Sequence, residues 1–167
     1  MLYEILGFSE GEFPAGLGWH DKIVAGFPQA SVWSVARYLG VQASDTAALV
    51  GVPHPALSWR QRSSLLSFQV SDRLFNLAKA FQRLMVPLKD AQQVQAWLRN
   101  PQPSLGNRLP VLLLMTQPGA QEVFAAIDAI KVLKGVEMNP LFDDALDDAE
   151  AADTAGEPSE DDPVEIR

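Results

Sequence analysis

The sequence predicts an all-α fold, and three observations carry that prediction. Apolar residues recur at intervals of three and four over long stretches, which is the period of one helix face. No alternation of apolar and polar residues, the pattern of a strand, persists beyond a few residues. Ser, Asp, Pro and Gly stand where the helical stretches begin and end. With 47% hydrophobic residues among 167, the chain can build one moderate domain or two small ones.

Residues 1–25 are predicted to form an irregular arm. Five glycine and proline positions between Gly7 and Gly18 break any long helix, so one short helix at most is expected there. A helical turn or two is expected over 19–25, ended by Gly26 and Pro28.

Two short helices are predicted next. Ser31 is expected to cap the first, which ends at Gly40. Ser44 or Asp45 is expected to cap the second, which reaches Val50.

The spacing over 26–65 is that of a helix-turn-helix region. Gly51 supplies a tight turn, and Pro55 suits the first position of another helix reaching about Arg62. A recognition helix presents its first and outward side chains to base edges, where Arg reads guanine and Gln reads adenine. Arg60 stands where many such elements place an apolar residue, so a second interpretation keeps this element for dimerisation and scaffolding alone. The candidate DNA-binding residues are His54, Ser58, Arg60, Gln61 and Arg62.

Four more helices are predicted over 66–135. Ser67 is expected to cap a long helix that Pro87 ends, and three others are expected over 90–98, 110–115 and 119–133. Trp97 and Leu98, at the end of an amphipathic helix, are expected to dock inward. The long helix should bury an apolar stripe formed by Val70, Leu74, Leu77, Ala78, Phe81, Leu84 and Met85. The last helix should bury a second stripe formed by Val123, Phe124, Ile127, Ile130 and Leu133.

Charge divides the chain into a body and a tail. Residues 136–167 hold 12 acidic residues and one Arg, net −11, whereas residues 1–135 hold 12 basic and 9 acidic residues, net +3. After Phe142 almost nothing remains to bury, so 136–167 is predicted to be a disordered acidic tail. Its acidic pairs are expected to be solvated and not to perform acid-base chemistry.

Several classes of site and location are disfavoured. The chain has no cysteine, and its two histidines, His20 and His54, are far apart, so neither a metal nor another cofactor is expected. No nucleotide-binding fingerprint and no nucleophile-base arrangement is present, which disfavours a small hydrolase. No apolar run approaches the roughly 20 residues that cross a bilayer, so a cytoplasmic location without membrane contact is expected.

Three motifs in order, together with a segment upstream of them at 66–74, carry a family resemblance. They are Ala-Trp-Leu-Arg-Asn-Pro at 96–101, Leu-Gly-Asn-Arg-Leu-Pro at 105–110 and Met-Thr-Gln-Pro-Gly-Ala at 115–120. Together they resemble the Xre/MbcA/ParS antitoxin family, over roughly residues 26–135. Members commonly carry Gly-Gly where this chain has Gly106-Asn107, and Asn tolerates left-handed backbone angles, so the same turn is expected.

The resemblance implies an antitoxin that is not itself an enzyme. Members neutralise RES-type toxins, which act on NAD, and repress their own operon, usually as homodimers on operator DNA. It implies a helix-turn-helix region over 26–65 and a toxin-binding domain over 66–135. The loop at 105–110 is tight and is expected to present Arg108 beside backbone donors. Two roles stay open for the tail, a contribution to blocking the toxin and that of a freely moving segment that only keeps the protein in solution. The alternative is a stand-alone transcriptional regulator with no toxin partner. The candidate toxin-binding residues are Leu105, Gly106, Asn107, Arg108, Leu141, Phe142, Asp143 and Asp144.

Overall fold

A computed structural model describes residues 1–8, 18–53 and 63–135. Within these ranges the chain forms eight α-helices and one short 3-10 helix, and no strand. The predicted all-α class is therefore confirmed for the described residues. The helices are α1 (Leu2–Leu6), α2 (Trp19–Ala25), α3 (Ala30–Leu39), α4 (Ala43–Val50), α5 (Phe68–Leu88), α6 (Ala91–Arg99), α7 (Pro110–Leu113) and α8 (Gln117–Leu133), and the 3-10 helix is Pro103–Leu105.

The 21-residue helix α5 lies at the centre of the fold. It packs against α1, α2, α3 and α4 from the first part of the chain and against α6 and α8 from the second. Six of the seven apolar residues predicted for its stripe are buried, and Met85 is partly buried against the core. Because both parts of the chain cover the same helix, their buried side chains form one continuous core.

The first eight residues contribute to that core. Helix α1 is the one short helix that the sequence allowed in the arm, and its Ile5 and Leu6 side chains are fully buried. Phe8 packs edge-to-face on Phe27, with ring centroids 5.1 Å apart. The amine of Lys22 donates to the hydroxyl of Tyr3, which ties α2 to α1. The start of the chain is thus held by apolar burial, which contributes about 25 cal/mol per Å².

A backbone pairing joins the segment after α2 to the segment before α5. Leu66 N–H donates to Phe27 O at 2.8 Å, and Gln29 N–H donates to Ser64 O at 2.9 Å. Gly26 adopts φ 92°, and a Cβ there would lie 2.3 Å from Leu66 O. This close approach requires glycine.

One predicted cap is confirmed and two are wrong. The Ser67 side chain accepts from Val70 N–H, so α5 begins at its expected cap. The Asp90 side chain accepts from Gln92 N–H and caps α6, a role that the sequence analysis did not assign to it. Helix α3, however, begins at Ala30 after Gln29, which leaves Ser31 buried inside its first turn. The reason is tertiary, because the pairing with residues 64–66 already positions the backbone at 27–29. Helix α4 begins at Ala43 after Gln42, whose backbone is extended, so neither Ser44 nor Asp45 is its cap.

Two helix ends also differ from prediction. Pro87 does not end α5, which continues to Leu88 and stops at Lys89 with φ 56°. A proline in the last turn removes only one helical N–H, and its ring is buried here. In α8, Leu133 is 85% exposed and not buried, because the final turn extends beyond the core.

Candidate functional site

The loop from Gln102 to Arg108, which joins α6 to α7, closes on itself. Gln102 N–H donates to Arg108 O at 3.1 Å, and Asn107 N–H donates to Gln102 O at 2.9 Å. The Gln102 side-chain amide donates to Trp97 O at 2.8 Å, which fastens the loop to the end of α6. These bonds hold the loop in one conformation, so a partner that binds it need not order it first.

Two successive left-handed residues make the turn at the tip of this loop. Gly106 has φ 66° and Asn107 has φ 56°. Asn is among the few residues other than Gly that adopt this region readily. The turn expected at Gly106-Asn107 is therefore present.

The loop divides its four predicted binding residues between surface and core. Gly106, Asn107 and Arg108 are exposed, whereas Leu105 is 3% exposed and packs in the core. Burial of Leu105 anchors the loop, and the three exposed residues form what we call the loop tip.

Most backbone N–H groups of the loop are occupied internally. Leu105 N–H donates to Gln102 O, Gly106 N–H to Pro103 O, and Arg108 N–H to Leu105 O. The N–H of Arg108 and those of its neighbours Gly106 and Asn107 are therefore not open to a partner. The tip offers side-chain groups instead, those of Asn107 and Arg108.

Arg108 is oriented by two acceptors. Its Nε donates to Leu105 O at 2.8 Å, and its Nη2 bonds the carboxylate of Glu122 on α8. The Arg108 side chain keeps 53% of its surface exposed and that of Glu122 keeps 47%. An exposed ion pair adds little stability, so its main effect is to aim the guanidinium. Sequence analysis missed Glu122, which is 14 residues away, since nothing local marks it as the partner of Arg108.

The motif at 115–120 sets the junction of α7 and α8. The Thr116 hydroxyl accepts from Gly119 N–H at 3.3 Å and so caps α8. A Cβ at Gly119 would lie 2.3 Å from Leu113 O, so only glycine allows the two helices to approach this closely. The motif thus has a structural role that places Glu122 beside the loop.

A groove of about 590 Å³ lies between α2, α5 and the first half of α8. Two large apolar side chains on its walls are exposed, Val24 at 58% and Phe68 at 53%. Sequence analysis missed this groove because three helices distant in the chain form it. Its other apolar wall residues include Ile23, Ala120 and Phe124.

A cationic strip, which consists of Lys79, Arg83 and Lys131, continues from the groove along the seam between α5 and α8. Lys79 Nζ lies 5.7 Å from the Phe124 ring centre, and the Arg83 guanidinium lies 5.3 Å from it. The Asp128 carboxylate forms ion pairs with Arg83 at 3.9 Å and with Lys131 at 3.4 Å. Three cations beside one carboxylate leave the strip positive.

The remaining predicted site residues lie outside the described residues. The candidate DNA-binding residues His54, Ser58, Arg60, Gln61 and Arg62 fall within 54–62, and the tail candidates Leu141, Phe142, Asp143 and Asp144 fall within 136–167.

The structure does describe the flanks of 54–62. Helix α4 ends at Gly51 with φ 89°, and Ala47 and Val50 are buried. The Arg73 guanidinium donates to Val50 O at 2.9 Å, which ties the end of α4 to α5.

The described part of the chain offers neither a membrane-spanning helix nor a cluster of metal ligands. None of its helices is both long and apolar enough to cross a membrane. Nor do three or more of its His, Asp or Glu side chains gather closely enough to hold a metal ion.

The loop lies within a part of the chain that is similar to a known family. The chain matches no curated protein at a significant level. Residues 85–131, from the end of α5 through most of α8, include the whole loop, Gly119 and Glu122. This range matches the family model described as the antitoxin Xre/MbcA/ParS C-terminal toxin-binding domain, which confirms the resemblance over these residues and implies a toxin as partner.

Proposed function

We propose that this protein is an antitoxin that binds and neutralises a RES-domain toxin acting on NAD. The observation that carries the proposal is the family match over residues 85–131, the range that builds the loop and its ion pair. The match supports an antitoxin role and a toxin partner. The RES class of that toxin is our proposal from the resemblance, as is the view that the chain acts by binding and not by catalysis.

The loop tip is the proposed contact with the toxin. Gly106 and Asn107 project from a closed loop, and Arg108 stands beside them with a fixed orientation. Arg is enriched among residues that dominate binding energy, and a rigid loop loses little conformational entropy on binding. We propose that the tail also contributes, with Leu141 and Phe142 as apolar contacts and Asp143 and Asp144 facing a cationic NAD-binding cleft.

Co-expression with a RES-domain toxin tests the proposal. The wild-type chain is expected to relieve the growth arrest and NAD loss that the toxin causes. Arg108→Ala should weaken toxin binding, measured by calorimetry, about tenfold or more, the range of a hot-spot residue. Arg37→Ala is the matched control, because Arg37 is an exposed arginine on α3, outside the loop. Full binding by Arg108→Ala would remove the loop tip from the proposal, and failure of the wild-type chain to relieve the toxin would remove the RES assignment.

We also propose that the chain binds operator DNA as a homodimer and represses its own operon. The order of α3, α4 and the left-handed Gly51 supports a helix-turn-helix there, with the candidates of 54–62 as the reading residues. Gel shifts at two salt concentrations test it with Arg60→Ala and Arg62→Ala. A base contact costs about 1–3 kcal/mol on the cognate site alone, whereas a phosphate contact weakens all sequences and flattens the salt dependence. No shift, with toxin present or absent, would leave the scaffold interpretation.

A stand-alone transcriptional regulator is the second candidate function, and the same helix order favours it. Retained gel shifts together with failure to bind or relieve any RES-domain toxin would establish that alternative. Both functions place the chain in the cytoplasm, away from membranes, and need no cofactor.

A further inference from the structure

We propose that the segment after Gly135 folds back along α8 and that Leu141 and Phe142 fill the groove between α2, α5 and α8 of the same chain. This intramolecular contact belongs to the free protein and does not depend on the proposed toxin, whose binding would displace Leu141 and Phe142 from the groove.

Apolar side chains form part of the groove wall, and the remaining lining residues are polar, namely His20, Asp72, Asn76, Gln117 and Gln121. Val24 and Phe68 are 58% and 53% exposed on its walls, and Phe124 and Ala120 line its α8 side. Covering apolar surface contributes about 25 cal/mol per Å², so two large apolar side chains gain by entering it. Asp72 also lines the groove, which makes it unfavourable for an acidic side chain.

The chain leaves α8 where a return along the helix is possible. Gly135 has φ 65°, a left-handed angle that ends helices and redirects the backbone, and a Cβ there would meet nothing within 4 Å. Helices α5 and α8 run parallel, since Asn76 shares the groove with Ala120 while Arg83 contacts Asp128 further along both. A segment returning from Gly135 therefore passes the cationic strip first and the groove second.

The spacing of the tail matches that order. An extended chain advances about 3.3 Å per residue and a helix about 1.5 Å, so each tail residue passes roughly two residues of α8. Counted from Gly135, Glu137 comes beside Lys131, and Leu141 and Phe142 come to the level of Phe124 to Ala120. The acidic residue thus meets the positive strip, and the two large apolar residues meet the groove.

Charge and tethering favour this occupant over a separate molecule. Glu137 is the one acidic residue between Gly135 and Phe142, and it comes to the level of the positive strip, so the two attract. A short tether also presents its segment at an effective concentration in the millimolar range, which a second copy in dilute solution does not reach.

Disulfide trapping in the full-length chain tests the proposal, since the chain has no cysteine of its own. The test pair is Gln121→Cys with Asp143→Cys, because Gln121 lines the groove. The matched control is Glu122→Cys with Asp143→Cys, because Glu122 is also exposed but faces the loop. The cross-linking rate of each pair is divided by the rate at which its α8 cysteine reacts with a small disulfide, which corrects for the different reactivity of the two positions. A freely moving tail reaches both positions equally, whereas the folded-back tail should cross-link at 121 at least about tenfold faster, as its local concentration rises there.

A second pair of variants identifies the residues responsible. Leu141→Ser with Phe142→Ser, added to both cysteine pairs, should make the cross-linking rate at 121 nearly equal to that at 122. Val164→Ser with Ile166→Ser changes two apolar residues near the end of the tail and should preserve the preference. Equal rates at 121 and 122 would overturn the proposal, as would a preference that survives loss of Leu141 and Phe142. Cross-linked dimers on a non-reducing gel would show a second copy in the groove and would overturn it too.

Discussion

Gly119 lies against the α7 backbone, and its replacement by Ala is a test in which steric packing and helix propensity predict opposite changes in the free energy of unfolding. In Gly119→Ala the new Cβ would lie 2.3 Å from Leu113 O and 2.9 Å from its carbonyl carbon. Separations below 3.0 Å essentially do not occur, so the two backbones must part by about 0.7 Å, the difference between these distances. Both groups belong to backbone, and neither can rotate away. The shift would loosen the packing of Leu114, which is fully buried.

The expected magnitude follows from two opposed contributions. Replacing Gly by Ala in a helix at negative φ stabilises by up to about 1 kcal/mol, through lower entropy of the unfolded chain. Overpacking against fixed neighbours costs about 1–3 kcal/mol. We therefore expect Gly119→Ala to lower the free energy of unfolding by about 1–2 kcal/mol, which for a chain of this size lowers Tm by about 2–8 °C.

Urea unfolding followed by circular dichroism measures this free energy. Ala125→Gly is the control, since Ala125 is an exposed position in the middle of the same helix, and its loss of propensity should cost about 1 kcal/mol. Propensity alone would make Gly119→Ala more stable than the wild type. If Gly119→Ala proves equally or more stable while Ala125→Gly is destabilised, the close approach does not limit the junction and our account of the 115–120 motif fails.

Three further measurements test how the two parts of the chain are joined. Ser71→Ala should lower the free energy of unfolding by about 1–3 kcal/mol, because the buried Ser71 hydroxyl accepts from Phe27 N–H at 2.8 Å and the variant leaves that donor unsatisfied. The control Ser104→Ala, at an exposed position, should change it by less than about 0.5 kcal/mol. Equal effects of the two variants would contradict this account. Gly26→Ala should destabilise by more than about 2 kcal/mol, since it combines a left-handed backbone with a Cβ 2.3 Å from Leu66 O, and wild-type stability in urea would show that the pairing tolerates a side chain. The whole chain should unfold in a single transition by circular dichroism and by tryptophan fluorescence, because both parts share one core, and two separated transitions would instead indicate independent domains.

The surface loop was largely predictable because its geometry depends on neighbours in sequence. A turn at Gly106-Asn107 follows from the tolerance of these residues for left-handed angles, and the exposure of Arg108 follows from its place in that turn. The partner of Arg108 was not predictable, because Glu122 reaches it only through the packing of α8. Leu105 lies within the motif but in the core, so sequence position alone did not separate anchor from contact surface.

By itself the sequence determined the features whose interactions span three or four residues. The cap at Ser67 and the apolar stripe of α5 are of this kind, since a side chain there meets its own helix or recurs on one face of it. Only the tertiary structure decided the features that need partners distant in the chain. The start of α3 depends on a pairing with residues 64–66, the burial of α1 depends on α3 and α5, and the groove exists because α2, α5 and α8 meet. The physical reason is that burial and close backbone approach depend on which surfaces face each other in space, and the order of residues along the chain does not specify those surfaces.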